Sequence, residues 1–186
     1  MGRSMIDYAS TGDLASFQEL LRDADDQELM YWHVTKAFKA AVKNKQLAIV
    51  RYLIDDLGLS LDHEAFGKYL HLFLFGCQEA EDEAAWAVNR ELLRLIARGK
   101  GAAVDEADDV NQSTPLMVAC EHLSDLDTVR LLVEAGADVN SVNSDDKMPL
   151  SILRGRIERK AEGELKLIYE YLEGRGAKLT WRDKRR

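Results

Sequence analysis

The chain has 186 residues, of which 46% are hydrophobic and 31% charged, with 33 Asp and Glu against 25 Lys and Arg for a net charge of −8. That length is one domain or two small ones with a real core, and no run of 18 apolar residues exists to cross a membrane. The charge is uneven: residues 150–186 carry a net +5 and residues 1–149 a net −13, a body that repels phosphate backbones and suits a partner with a basic patch.

Only two prolines occur, so helices are expected to dominate. Met5, Ile6 and Ala9 share a face of a first helix, and Leu14, Phe17, Leu20 and Leu21 recur at helical spacing on a second. Thr11-Gly12-Asp13 divides the two, and the acidic run from Asp23 to Glu28 reads as a solvated loop. The N-terminus has no apolar core of signal-peptide length, nor Ser or Thr at position 6 for myristoylation; the expectation is an intracellular, cytoplasmic protein, with the nucleus an alternative.

From Thr35 to Asp62, Phe38, Ala41 and Val42 give one helix its buried stripe, and Leu47, Val50, Leu53 and Ile54 the next. Ala37, Ala40 and Ala41 allow close helix approach. AFGKYLHLFLFGC, ending at Cys77, is apolar enough for a fully buried helix, and WAVNRELLRLIARG resumes the amphipathic period after the acidic excursion QEAEDEA. Trp32 and Trp86 flank these irregular stretches and are either core or exposed anchors.

The most regular stretch is STPLMVACEHLSDLDTVRLLVEAGADVNSVNSDDKMPL, Ser113 to Leu150. Thr114 is placed to cap a helix with Pro115 in its first turn, where a missing N–H costs nothing. Leu116, Val118 and Ala119 pack inward, and Leu126, Val129, Leu132 and Val133 form the stripe of a second helix that stops at Gly136. A second Pro-Leu follows at Pro149-Leu150, 34 residues after the first. Leu165, Ile168, Tyr171 and Leu172 then line a last helix before Gly176.

The TPL opening, the LLVEAGADVN close and a period near 33 residues resemble the ankyrin consensus. QLAIVRYLI and Gly58-Leu59-Ser60-Leu61-Asp62 are similar to the same pattern, as are Gly12-Asp13-Leu14 and Gly101-Ala102-Ala103-Val104-Asp105. The resemblance implies an all-α ankyrin-repeat solenoid of about five helix-turn-helix units with short extended turns. These span residues 5–181 (5–31, 32–65, 66–110, 111–145 and 146–181), with a basic tail at 182–186. Spacings of 43 residues from Gly58 to Gly101 and 40 from Gly136 to Gly176 place insertions at 78–85 and 154–162. The family usually has His after the TPL; here it is Met117.

No catalytic constellation is found, and no metal or cofactor is expected. Cys120 and His122 are two apart and diverge on a helix, Cys77 and His71 are too far apart for a nucleophile pair, and no CxxC, phosphate loop or EF-hand spacing occurs. Both cysteines sit in apolar helical contexts and read as buried and inert. By the resemblance, partners dock on turn tips and inner helices. The tips are Asp108, Asp109, Asn111 and Gln112, then Asn143, Ser144, Asp145 and Asp146. The helix positions are Met117, Glu121, His122, Lys39 and Lys43, with Trp32 as an aromatic anchor; for each charged side chain the competing reading is plain solvation. The implied function is a non-enzymatic module, monomeric on its own, that holds a protein with a basic patch or peptide. The alternatives are a structural subunit docking through inserted loops, and an adaptor tethered to membrane or RNA by its basic C-terminal end.

Overall fold

The computed structural model describes residues 4–23, 27–61, 69–77, 82–99, 102–159 and 163–180. All regular structure among them is helical, and the chain divides into two compact units. One is drawn from Met1–Tyr69 and Glu81–Ala102, the other from Leu70–Ala80 and Ala103–Arg186.

In the first unit, α1 (Met5–Thr11) opens on Ser4, whose hydroxyl accepts the Asp7 amide while the Asp7 carboxylate accepts the Ser4 amide, a reciprocal capping box. The break at Gly12 is enforced twice. Its φ of +80° is left-handed, and a Cβ there would lie 2.2 Å from Gln46 Oε1. Gln46 in turn donates from Nε2 to the Ser10 carbonyl at 3.2 Å. Asp13 caps α2 (Leu14–Arg22), accepting the Ser16 amide at 3.1 Å. Phe17 is the buried centre of α2, and Leu20, expected in its stripe, is 38% exposed. At roughly 100° per residue Leu14 and Leu21 flank Phe17 on one side and Leu20 on the other, so the stripe tilts away from Leu20.

The helix α3 (Gln27–Lys43) packs on α1 and on α4 (Leu47–Arg51), which widens into a π-helical turn over Tyr52–Asp56. Val34, Ala37, Phe38, Ala41 and Val42 form its buried side. α4 also meets α6 (Glu83–Arg98), where Arg51 pairs with Glu91 at 2.9 Å and Arg98 with Asp55 at 2.7 Å. Such exposed pairs contribute at most about 1 kcal/mol each; the apolar rows Ile49, Val50 and Leu53 and Leu92, Leu93, Leu95 and Ile96, all buried, hold this unit. Asp82 caps α6, accepting the Ala85 amide at 2.7 Å. The rest of the expected insertion, residues 78–81, lies outside the described residues, as do Gly101 and the basic tail.

In the second unit, α5 (Tyr69–Cys77) buries Leu70, His71, Phe73, Leu74 and Cys77, and His71 Nε2 donates to the Glu106 carbonyl at 2.6 Å. Two helical hairpins follow: α7 (Pro115–His122) with α8 (Leu126–Glu134), and α9 (Pro149–Arg159) with α10 (Gly163–Gly174). First helix packs on first, α7 on α9, and second on second, α8 on α10. Thr114 accepts the Met117 amide and Pro115 fills the first turn, as expected. Gly136 and Gly176, at φ +102° and +86°, end the second helices in left-handed turns.

The connecting loops lie in register. The Asp105 carboxylate accepts the Asp138 amide at 2.9 Å, 33 residues on. Asn140 donates from Nδ2 to the Gly176 carbonyl and accepts the Lys178 amide at 2.8 Å. Sequence spacing thus becomes a ladder of polar bonds beside the helices. Within the stretch 154–162, where an insertion is expected, α9 runs on to Arg159 and has 11 residues against 8 in α7; residues 160–162 lie outside the described residues.

Candidate partner-binding site

The two turn tips of the second unit are built alike. In the first, Asp108 Oδ1 accepts the amides of Val110 at 3.0 Å, Asn111 at 2.9 Å and Ser113 at 3.4 Å. The Asp108 amide returns a bond to the Ser113 carbonyl at 2.9 Å. In the second, Asn143 Oδ1 accepts the amides of Asp145 and Lys147 at 3.1 and 3.0 Å, and its own amide donates to the Lys147 carbonyl. Each turn closes through a left-handed residue, Gln112 at φ +56° and Asp146 at +59°, spaced 34 residues apart like the two prolines.

The tips are locked together. The Asn111 carbonyl accepts both the Ser144 amide at 2.9 Å and the Ser144 hydroxyl at 2.8 Å, and Asn143 Nδ2 donates to Ser113 Oγ at 3.2 Å. The outcome is a stiff pair of projections with Asp109, Asp145 and Asp146 exposed. Lys147 Nζ sits 3.6 Å from the Asp145 carboxylate, a surface pair worth little. At the C-terminal end of α7, Glu121 and His122 are also exposed, with His122 Nε2 3.9 Å from Glu121.

A family model for the ankyrin repeat matches residues 111–144, the end of the first tip, both helices of the first hairpin and the start of the second tip. The chain carries an ankyrin repeat. No curated protein matches the chain. Among solved structures, a chain from the Bd0816 predatory endopeptidase of Bdellovibrio bacteriovorus in complex with immunity protein Bd3460 is similar at 16% identity. That match covers 89% of this chain and 97% of that one, with a TM-score of 0.39.

Four of the contact positions expected in the second unit are buried or committed to the turns themselves. Met117 has no exposed surface: α7 is covered by both α8 and α9, so Met117 is core and unavailable to a partner. Asn143 is 6% exposed and spends its amide on three internal bonds. Asp108, half-buried, is likewise committed to closing its turn. Asn111 is half-buried, holding the tip-to-tip bond through its carbonyl and accepting the Ser113 amide at 3.3 Å through its side chain.

Trp32 lies on α3, in the first unit, 51% exposed. Of the expected positions in the second unit, the surface retains Asp109, Asp145, Asp146, Glu121 and His122. Among the described residues no group of three His, Cys, Asp or Glu side chains is placed to hold a metal ion, and no helix is long and apolar enough to cross a membrane.

One residue of this unit was unreadable from the sequence. Arg156, on α9, donates from Nη1 to the Cys120 carbonyl at 2.9 Å and the Leu123 carbonyl at 2.5 Å, and from Nη2 to Ser124 Oγ at 3.0 Å. It caps α7 of the ankyrin repeat from the neighbouring hairpin.

Burial raises the Cys120 thiol from its ordinary 9.0 to about 12, against a smaller opposing pull from the Arg156 guanidinium. Desolvation disfavours the thiolate, and the thiolate is the reactive form. Cys77 and Cys120 are both buried and neither is disulfide-bonded. Thiol reagents at neutral pH are therefore expected to modify neither until the protein unfolds, as a mass shift will show. Since the folded pKa is raised, the Cys120 contribution to stability is complete below pH 9 and is lost as pH climbs towards 12. A thiol labelled at neutral pH in undenatured protein would contradict this burial.

Proposed function

We propose that the chain is a non-enzymatic protein-binding module whose stacked turn tips receive a basic patch or peptide of a partner protein. The observation that carries the reading is the pair of hydrogen bonds that Ser144 donates to the Asn111 carbonyl, which fixes two tips into one stiff edge bearing Asp109, Asp145 and Asp146. Because that edge is pre-ordered, little conformational entropy is lost on docking. Its carboxylates steer a basic surface and pair with it at the rim. An ankyrin repeat points to protein–protein interaction, and this family is typically non-enzymatic. The same reading extends the repeat to about five units across residues 5–181, supported by the 33-residue register of the loop bonds in the second unit.

The test is charge removal without a change of shape. Asparagine tolerates the left-handed backbone at position 146 as aspartate does, so Asp109→Asn, Asp145→Asn and Asp146→Asn combined keep the turns. Partners recovered from cell extract and identified by mass spectrometry should bind the triple variant about tenfold more weakly, about 1.4 kcal/mol. The parent interaction should also weaken as salt rises. Partners recovered undiminished by the triple variant would remove the tips from the binding site.

A further inference from the structure

The first unit presents a surface of the opposite charge. On α3, Trp32, Lys36, Lys39 and Lys43 fall within a sector of about 60° and along about 16 Å of helix. The other side of the same helix is the buried row Val34, Ala37, Phe38, Ala41 and Val42, so the lysine row faces outward. Lys36 and Lys43 are exposed and Lys39 half-buried. Among the described residues no carboxylate pairs with Lys36 or Lys43. Lys36 Nζ instead stands 3.6 Å from the centroid of the Trp32 ring, and His33 meets that ring edge-on at 4.9 Å between centroids. A tryptophan half open to solvent is thus held in place by its neighbours at the head of a basic row, in a chain of net charge −8.

We propose that this face of α3 is a second docking surface, for an acidic peptide segment carrying an apolar side chain. The carboxylates of such a segment would pair with Lys36 and Lys43, and its apolar group would lie against Trp32. Tryptophan is over-represented among residues that anchor interfaces, and here its ring is already ordered, so anchoring it costs little rotamer entropy. Charge complementarity selects an acidic occupant. This surface is independent of the carboxylate tips, and its failure would leave that reading untouched.

The probe is a fluorescein-labelled peptide of six glutamates with a central leucine, titrated with the full chain at low salt and followed by anisotropy. Trp32→Ala is expected to weaken binding about fivefold, and Lys36→Glu with Lys43→Glu more than tenfold. Lys178→Glu, in the second unit, should change it less than twofold. All these positions are solvent-facing, and Lys36→Ala with Lys43→Ala provides a milder pair whose fold is checked by circular dichroism. Equal losses for Lys178→Glu and the α3 pair would reduce the effect to net charge and overturn the proposal. Binding of a single-stranded RNA of the same length as tight as the peptide's would overturn the choice of an acidic peptide.

Discussion

Met117→Ala is expected to lower the unfolding free energy by about 2–5 kcal/mol, the range for emptying a buried long side chain to alanine. The side chain has no exposed surface, and its helix is wrapped closely enough that all six residues from Pro115 to Cys120 are buried. The loss combines the transfer free energy of the missing atoms with the space left between α7, α8 and α9, since a packed interior closes such a gap only in part. Met117→Leu, which nearly conserves volume, should cost less than about 1.5 kcal/mol. Urea unfolding of the two variants separates the cases through the midpoint at constant slope. If Met117 lined a binding surface instead, alanine would leave stability within about 0.5 kcal/mol and would show its effect in partner affinity.

That residue also marks where sequence reading stops. The helix boundaries of the ankyrin repeat were legible because their signals are chemical and local: Thr114 and Pro115 start a helix, and Gly136 can adopt the left-handed stop; the cap of the next helix, Asp125 accepting the Thr128 amide at 2.9 Å, went unread. Which side of an inner helix is exposed is not local. Helix α7 carries apolar residues nearly all round, and that pattern alone leaves Met117 as plausible on one face as another. The turns pose a similar difficulty. Asp108 and Asp109 are adjacent and chemically identical, yet one closes the turn with three amide bonds while the other faces solvent. The tendency of Asp and Asn to bond the backbone two residues on was the available signal for Asp108 and Asn143, and composition alone does not carry it. The surface stripe of α3 was half legible: Lys39 and Lys43 stood out as outward positions, but the seating of Lys36 on Trp32 depends on side-chain conformations.

Arg156 is expected to be the costliest polar substitution in the second unit. Helix α7 ends with carbonyls that have no partner within the helix. The Ala119 carbonyl is satisfied by the Leu123 amide at 2.9 Å, and those of Cys120 and Leu123 are satisfied by the guanidinium of Arg156. These bonds carry charge, which makes each stronger than a neutral one, and they place a cation at the negative end of the helix. Arg156→Ala removes the donor and leaves the Cys120 carbonyl unmet in a buried setting. An unfolding loss of about 2–3 kcal/mol follows from the usual range for a hydrogen bond to a charged group. Lysine cannot reproduce the fork that spans two carbonyls and Ser124, so Arg156→Lys should recover less than half. Hydrogen exchange gives the local counterpart: the Leu123 amide, which closes the last turn of α7, should exchange faster in Arg156→Ala. The Cys120 thiol should remain unreactive, because burial and not the cation sets its pKa. An Arg156→Ala protein as stable as the parent would mean that the end of α7 is held by packing alone.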